Sequence, residues 1–176
     1  MAFLTPTAAR AGEIQIDAGT ALLGSSWQGD FTGGGFLRLG YRFKRVISLD
    51  IVTWEQLGVV DQRLDTGLTI GVTGFIPLKL FRPSLRVFAI HQHEEGTVSV
   101  AETPAGVLFG IGSGIRHRAG GGLTLGAEIP FYKKNDLEWV LVAELEGIWF
   151  PDALGPTFYY GGNLGLGFNF SIPKLP

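Results

Sequence analysis

The sequence predicts an all-β protein, an antiparallel up-and-down β-barrel whose strands cross a membrane. The clearest indication lies in residues 157–172, where alternate positions from Tyr160 to Phe170 carry mainly Leu, Phe and Tyr. The positions between them, from Tyr159 to Asn169, carry mainly Gly and Asn. A soluble sheet is expected to show Lys, Glu and Thr to water, because a bare Gly face costs backbone entropy and packs against nothing. A narrow barrel in lipid explains both faces, with Leu and Phe outside and small residues inside.

The composition agrees with this prediction. The chain has 176 residues, of which 27 are Gly and 13 are Phe, and only 17% are charged. This length suits one domain built on one closed sheet. No stretch approaches the roughly 18 consecutive apolar residues that a spanning helix needs, and alternating strands in lipid produce this combination. The alternative is a well-buried soluble β-sandwich.

Cysteine content and net charge exclude several classes of function. The chain has no cysteine, which rules out disulfides and thiolate metal sites. Its formal net charge is −2, and its arginines are scattered singly along the predicted strands. We therefore expect no nucleic-acid partner.

We expect three regions along the chain. Residues 1–12 are interpreted as a loose N-terminal leader, because they lack the charged start and apolar core of an export signal. Within them, Ala9-Arg10-Ala11 has the A-x-A form that precedes cleavage sites, which favours a processed product with an added Met. Residues 13–172 form the barrel, and residues 173–176 form a C-terminal tail.

Period-two alternation divides the barrel region into short segments, each followed by a turn signal. The alternating segments are residues 13–22, 37–44, 47–54, 67–73, 85–90, 107–116, 123–131, 137–150 and 157–172. The connections between them are residues 24–35, 44–45, 61–63, 77–83, 94–106, 119–122, 133–136 and 151–156. Pro77 and Pro83 remove ladder donors at both ends of their connection, and residues 94–106 form the longest polar connection, the best candidate for a mobile outer loop.

The count of nine segments conflicts with the even strand number of single-chain bacterial barrels. Either one segment is misread or a tenth strand is hidden. The two suspects are residues 137–150, where the alternation is weakest, and residues 97–101, which could extend a hairpin above the membrane. Eight strands suit the chain length best, and ten are the second choice.

The small-residue face of these segments also collects charges of both signs. Inside an eight-stranded barrel such side chains have room to interlock as hydrogen-bonded ion pairs, which predicts a plugged interior. A small gated pore for ions or solutes is the alternative. The predicted interior network comprises Asp17, Arg38, Arg42, Asp50, Asp65, Arg86, Arg116, Glu128, Glu144 and Glu146.

Aromatic residues gather near the predicted strand ends, where rings with a polar edge favour the headgroup region of a bilayer. They predict two girdles at the membrane interfaces. The predicted girdle residues are Trp27, Trp54, Phe81, Tyr132, Trp139, Trp149, Tyr159 and Tyr160.

Few residues suggest chemistry. His91 and His93 have a spacing that a metal site could use, but no third ligand is evident, so rim histidines without a metal are the preferred interpretation. A serine placed beside one of these histidines would suit a lipid-modifying hydrolase, and the candidates are Ser25, Ser26 and Ser99. The glycine runs lack phosphate-loop spacing and better serve as room for the arginines opposite. We predict no catalytic residue, no metal and no cofactor.

The sequence resembles the small outer-membrane β-barrel proteins of Gram-negative bacteria, the group that includes OmpA-like and OmpW-like barrels. The residues that carry the resemblance are GGGFLRLGYRF (33–43), the predicted hairpin that begins with GIGSG (110–114) and ends at residue 128, and GLGFNF (165–170). These segments show the alternation of apolar with small or charged residues that the whole group shares, and they identify no single member.

The resemblance implies a location in the bacterial outer membrane. The implied partners are the lipid bilayer with its lipopolysaccharide, the barrel-assembly machinery during biogenesis, and possible protein partners at the loops. The expected role is structural, adhesive or partner-anchoring, with the gated pore and the lipid-modifying hydrolase as alternatives.

Overall fold

The computed structural model describes residues 10–60, 62–102, 106, 111 and 114–173, and within them eight antiparallel strands close into one barrel. Each strand pairs with the next one along the chain, and β8 pairs with β1. The prediction of eight strands is therefore confirmed. The strands are β1 (Arg10–Ser25), β2 (Phe31–Phe43), β3 (Ile47–Gly58), β4 (Arg63–Phe75), β5 (Arg82–Gly96), β6 (Arg116–Lys134), β7 (Leu137–Trp149) and β8 (Phe158–Pro173), and a short helix α1 (Thr97–Glu102) follows β5.

The two ends of the barrel differ. At the turn end, β1 begins beside the end of β8, with Arg10 opposite Pro173, and short turns join β2 to β3 and β6 to β7. Residues 44–46 form the first of these turns, in which Lys44 and Arg45 have φ angles of 46° and 64° and the N–H of Val46 donates a hydrogen bond to the carbonyl of Phe43 at 3.0 Å. At the opposite loop end, the connections are residues 26–30, 59–62, 97–115 and 150–157.

The predicted segment at residues 107–116 is the one in excess of eight, and its described part before Arg116 is not a strand. Within residues 107–116, Ile111 has no strand conformation and Gly114 lies in a turn with a φ of 87°, whereas residues 107–110, 112 and 113 lie outside the described residues. The predicted turn at residues 119–122 is also wrong, because these residues lie within β6. Of the two suspected segments, residues 137–149 form the genuine strand β7, and residues 97–101 belong to helix α1.

Several strands extend further than the alternation of apolar residues indicates. Strand β1 begins at Arg10 rather than at residue 13, and β8 ends at Pro173 rather than at residue 172. Strand β2 begins at Phe31, inside the predicted loop 24–35. At the loop end, Arg63 is the first residue of β4 and Glu94 lies within β5, although the alternation of apolar residues assigns both to connections. The extensions of β4 and β5 carry buried polar side chains, which the apolar pattern does not register.

Side chains alternate between the two faces of the barrel wall as the period-two pattern predicts. In β8, Leu164 and Leu166 are exposed on the outside, whereas Asn163 and Asn169 are buried inside. The other strands repeat this arrangement, with exposed aliphatic side chains outside and buried charged side chains inside. Within the described part of the chain, no helix is long and apolar enough to cross a membrane.

The interior also contains an apolar layer, which we call the core cluster. It lies on the loop side of the central charged residues, because its members follow Asp50, Arg86 and Glu146 along strands that run toward the loop end. Its members are Leu23, Phe36, Val52, Trp54, Phe88, Ile90, Ile148, Phe150 and Tyr159.

Glycines on the inner wall make room for the rings of this cluster. A Cβ atom added at Gly67 would overlap the indole of Trp54, and one added at Gly122 would overlap the ring of Phe88. Gly71 has the same relation to the guanidinium of Arg86, whose Nε would lie 2.7 Å from the added atom. The small residues thus accommodate both aromatic and arginine side chains, and this explains why residues 119–122 form a strand instead of a turn.

We predict that Gly122→Ala destabilises the barrel by roughly 1–3 kcal/mol, because the Phe88 ring and the backbone of β7 leave no space for a methyl group. The matched control is Gly74→Ala, where the nearest atom to an added Cβ is a carbonyl oxygen 3.9 Å away. Urea unfolding of both variants in detergent micelles measures the difference in the free energy of unfolding. Equal stability of the two variants would contradict the close packing inferred for Gly122.

Candidate functional site

The candidate site is the charged interior of the barrel, which falls into a central network, a turn-end network and a rim network. In the central network, Arg38 on β2 lies 3.2 Å from Asp17 on the adjacent strand β1. The same guanidinium lies 2.7 Å from Glu144 on β7, which it reaches across the lumen. All three side chains are buried. One arginine therefore links three strands through two charge-assisted contacts.

A second arginine completes the central network. The Nε of Arg86 lies 2.6 Å from Asp50, and its Nη2 donates a hydrogen bond to the hydroxyl of Thr69 at 2.7 Å. Asp50 also accepts a hydrogen bond from Thr73 at 2.6 Å. The charge and the hydrogen-bonding capacity of this buried pair are thus satisfied together, as a pair removed from water requires.

The turn-end network surrounds Glu128 on β6. Arg42 on β2 pairs with this carboxylate across the barrel, and Arg82 on β5 lies 3.1 Å from it. The amide of Gln15 donates hydrogen bonds to both Asp17 and Glu128, at 2.7 and 3.1 Å. Gln15 therefore connects the turn-end network to the central network.

The rim network occupies the loop end. Arg63 on β4 lies 2.7 Å from Asp30 in the β1–β2 loop and 3.1 Å from Asp65 on its own strand. Arg118 on β6 lies 2.6 Å from Glu94 on β5. The hydroxyl of Tyr159, a residue of the core cluster, donates a hydrogen bond to Glu94 at 3.3 Å.

The rim network also holds the loop between β7 and β8. Arg118 lies 2.9 Å from Asp152 and donates a hydrogen bond to the carbonyl of Pro156 at 2.8 Å. Arg116 donates to the carbonyl of Leu154 at 2.6 Å. The guanidinium groups of Arg116 and Arg118, both on β6, thereby fix the path of residues 150–157.

The carboxyl of Asp30 is held in its ionised form. Burial by itself raises the pKa of this group, but hydrogen bonds from Arg63 and Ser25 and the charge of the guanidinium outweigh burial and lower the pKa below its ordinary value. The attachment of the β1–β2 loop to Arg63 is therefore maintained at neutral pH.

Two arginines bring the networks against the core cluster from opposite sides. The guanidinium of Arg86 lies over the ring of Phe88, 4.5 Å from its centroid. The guanidinium of Arg118 lies over the ring of Phe150 at 4.3 Å. Cations over aromatic faces at this range are attracted by the ring quadrupole. The core cluster therefore lies between the central network and the rim network, in contact with both.

Most of the predicted interior residues lie in the central and turn-end networks. Asp65 belongs instead to the rim network, and Arg116 stands at the edge of the rim with about a third of its side chain exposed, 3.0 Å from Glu94. The residues placed in the central and turn-end networks are Asp17, Arg38, Arg42, Asp50, Arg86, Glu128 and Glu144. Glu146 is also buried inside, where it accepts a hydrogen bond from Thr124 at 3.1 Å.

Sequence reasoning missed several members of these networks. The apolar alternation assigns Arg63 and Glu94 to loops and Arg82 to a proline-bounded turn. The alternation of faces could have identified two of them. Arg63 lies two residues before Asp65 and Arg82 lies four before Arg86, so each pair shares the inner face once the strand is extended. The missed residues are Glu13, Asp30, Arg63, Arg82, Glu94, Arg118 and Glu138.

The prediction that Trp54 and Tyr159 face the membrane interface is wrong. Both rings lie in the core cluster, because each shares the inward parity of its strand. Trp27 lies in the β1–β2 loop near the guanidinium of Arg63. The remaining predicted girdle residues are exposed on the outside, with Trp149 and Tyr160 toward the loop end and Phe81, Tyr132 and Trp139 toward the turn end.

The structure does not bring the described candidate serines to a histidine. Ser25 donates a hydrogen bond to Asp30, and the hydroxyl of Ser26 lies against that of Thr157. The ring nitrogens of His91 and His93 contact each other instead. The side chain of Ser99 lies outside the described residues.

We predict that Arg38→Met destabilises the barrel by roughly 3–5 kcal/mol, because Asp17 and Glu144 would both lose the cation that compensates their burial. Urea unfolding in detergent micelles measures this loss. The matched control is Arg45→Met, which removes the 2.8 Å contact of a partly exposed guanidinium with Glu13 and is expected to cost less than about 1 kcal/mol. Similar losses in the two variants would show that the central network does not stabilise the barrel as inferred.

Comparison with known proteins places this architecture in one structural group. No protein-family model matches the sequence, and a search of curated proteins found no match. Among solved structures, the chain is similar to Neisserial surface protein A, with a TM-score of 0.60 and 12% identity over 91% of this chain and 96% of that chain.

Two barrels of Pseudomonas aeruginosa are also similar. Outer membrane protein OprG matches with a TM-score of 0.54 and 12% identity, over 95% of this chain and 99% of that one. The N-terminal β-barrel domain of OprF matches with a TM-score of 0.51 and 16% identity, over 90% and 99%. The chain therefore has the fold of the small eight-stranded outer-membrane β-barrels, the OmpA-like and OmpW-like group, with no specific member indicated.

Proposed function

We propose that this protein is an integral barrel of the Gram-negative outer membrane that is closed to ions and acts through its loop end in a structural, adhesive or partner-anchoring role. The observation that carries the proposal is the distribution of side chains across the barrel wall. Charged residues are buried inside in paired networks, whereas aliphatic residues are exposed outside. This is the reverse of the distribution in a water-soluble protein.

The outer wall supports residence in a lipid bilayer. In water, a continuous apolar surface around the whole barrel would be an aggregation site, whereas in lipid it is the favourable surface. A closed barrel also leaves no unpaired strand edge to face hydrocarbon. Exposed wall residues include Leu39, Leu49, Ile51, Ile70, Val87, Leu125, Leu141 and Leu166.

The interior supports closure to ions. An ion that entered from the loop end would pass the rim network and then meet the core cluster, where Phe36, Trp54 and Phe88 are buried among other apolar side chains. Apolar constrictions oppose the passage of hydrated ions. Below this layer, the paired charges of the central network fill the lumen, as expected in an eight-stranded barrel.

The rim network supports a role for the loop end as a fixed surface. Asp30 anchors the β1–β2 loop to Arg63, and Asp152 anchors the β7–β8 loop to Arg118. Loops that are already ordered lose less conformational entropy when a partner binds. A protein partner at these loops, lipopolysaccharide around the outer wall and the assembly machinery during biogenesis are the partners we propose.

We predict that the reconstituted protein gives no single-channel conductance in planar bilayers, because the core cluster closes the lumen. The double variant Phe36→Ala/Trp54→Ala removes two cluster rings that face each other in the β2–β3 register and is expected to conduct. The matched control, Phe31→Ala, removes an exposed ring of the outer wall and should remain silent.

Flotation with lipid vesicles establishes insertion of each variant before conductance is recorded. Channel steps in the unmodified protein would overturn the closed interior and support the gated pore. Failure of the unmodified protein to float with vesicles would overturn the membrane assignment itself.

A further inference from the structure

All three histidines of the chain lie together on the outside of the barrel near the loop end. His91 and His93 lie two residues apart on β5, and both point outward. His117 on β6 stands directly opposite His93 in the strand register. The sequence offered two histidines at a suitable spacing without a third ligand, and the pairing of β5 with β6 supplies that third imidazole.

The three rings converge on a small volume. The Nε2 atoms of His91 and His93 lie 2.9 Å apart, and Nδ1 of His117 lies 3.5 Å from Nε2 of His91. One nitrogen from each ring falls within a group whose members all lie within 4.8 Å of one another. Ligand nitrogens at about 2.0–2.1 Å from a tetrahedral Zn²⁺ are separated by about 3.3 Å. The observed separations scatter around this value, so side-chain adjustment would suffice to bind the ion.

Two acidic residues lie near the cluster in the strand register. Glu95 follows His93 by two residues, and both of its carboxylate oxygens are buried without a hydrogen-bond partner among the described residues. Glu55 interacts electrostatically with Glu95 and accepts a hydrogen bond from Thr66, the residue opposite His93 on β4.

The cluster is placed at the boundary between the apolar wall and the loops. His91 stands opposite Leu68, an exposed residue of the outer wall, on one side and Ala119 on the other. His91 and His117 are themselves exposed on the outside of the barrel, so the interior side chains do not cover the site. The next element along the chain after β5 is α1, at the start of the connection 97–115.

We propose that His91, His93 and His117 form a binding site for a divalent transition-metal ion of the Zn²⁺ class. Three imidazole nitrogens would bind the ion, and water would occupy the fourth position, a ligand set typical of zinc sites with an open coordination position. The ion would join β5 to β6 at the base of the longest loop-end connection.

The experiment is a calorimetric titration of the folded protein, without an affinity tag, with ZnCl₂ in detergent micelles. We expect one Zn²⁺ per chain. His93→Gln and His117→Gln should each weaken binding by more than about tenfold, since the loss even of groups that only orient zinc ligands has effects of this size. The matched control is Glu102→Gln, which removes an exposed carboxylate outside the cluster and should leave the affinity unchanged.

Two further readouts keep the outcome decisive. Zn²⁺ should raise the thermal midpoint of the unmodified protein and not that of His117→Gln, because the ion stabilises only the form that binds it. Circular dichroism shows whether the variants fold. If they do not, NMR of the unmodified protein provides the test, because its imidazole signals come from these three histidines alone and should shift on addition of Zn²⁺. Absence of saturable binding, unshifted imidazole signals, or equal affinity in the folded histidine variants would overturn the proposal.

Discussion

The pairing of buried arginines with carboxylates is the interaction on which this barrel depends. A narrow closed sheet whose outer wall is apolar has only its lumen in which to place charged side chains, and there each charge requires a compensating partner. Arg38 meets this requirement by joining Asp17 and Glu144 across the lumen. Every guanidinium buried in the described interior likewise has a carboxylate within ion-pair distance. Removal of either partner would therefore leave an uncompensated charge inside the barrel.

The core cluster adds an apolar layer to the charged interior. Its rings lie between the central network and the rim network, and Arg86 and Arg118 contact its aromatic faces from the two sides. Glycines on the inner wall provide the space for these rings, as Gly67 does for Trp54. The many glycines of the strands and the aromatic residues of the interior are therefore related. Large side chains from some strands fill the space that small residues leave on others.

The sequence alone predicts which alternate side chains of each strand face the lumen, but it does not predict where the strands end. Alternation of Leu and Phe with Gly and Asn placed Arg38 and Glu144 on the inner face without any tertiary information. The same pattern misplaced Arg63 and Glu94, because polar side chains continue the strands beyond the apolar wall. The glycine-rich run at residues 119–122 predicts a turn when it is considered alone. Its glycines instead make room for the rings of Phe88 and Phe150, which lie on other segments of the chain. His117 joined His91 and His93 only through the register of β5 with β6, a long-range property that local spacing does not encode.

The central claim is that the barrel faces lipid with its aliphatic wall and encloses its core cluster. Tryptophan fluorescence in vesicles that contain bromine-labelled lipids tests this claim directly, in single-tryptophan variants that retain either Trp54 or Trp149. Trp149 is exposed on the outer wall and Trp54 is buried inside. We predict strong quenching of Trp149 and little quenching of Trp54. Equal quenching of the two residues would contradict the account.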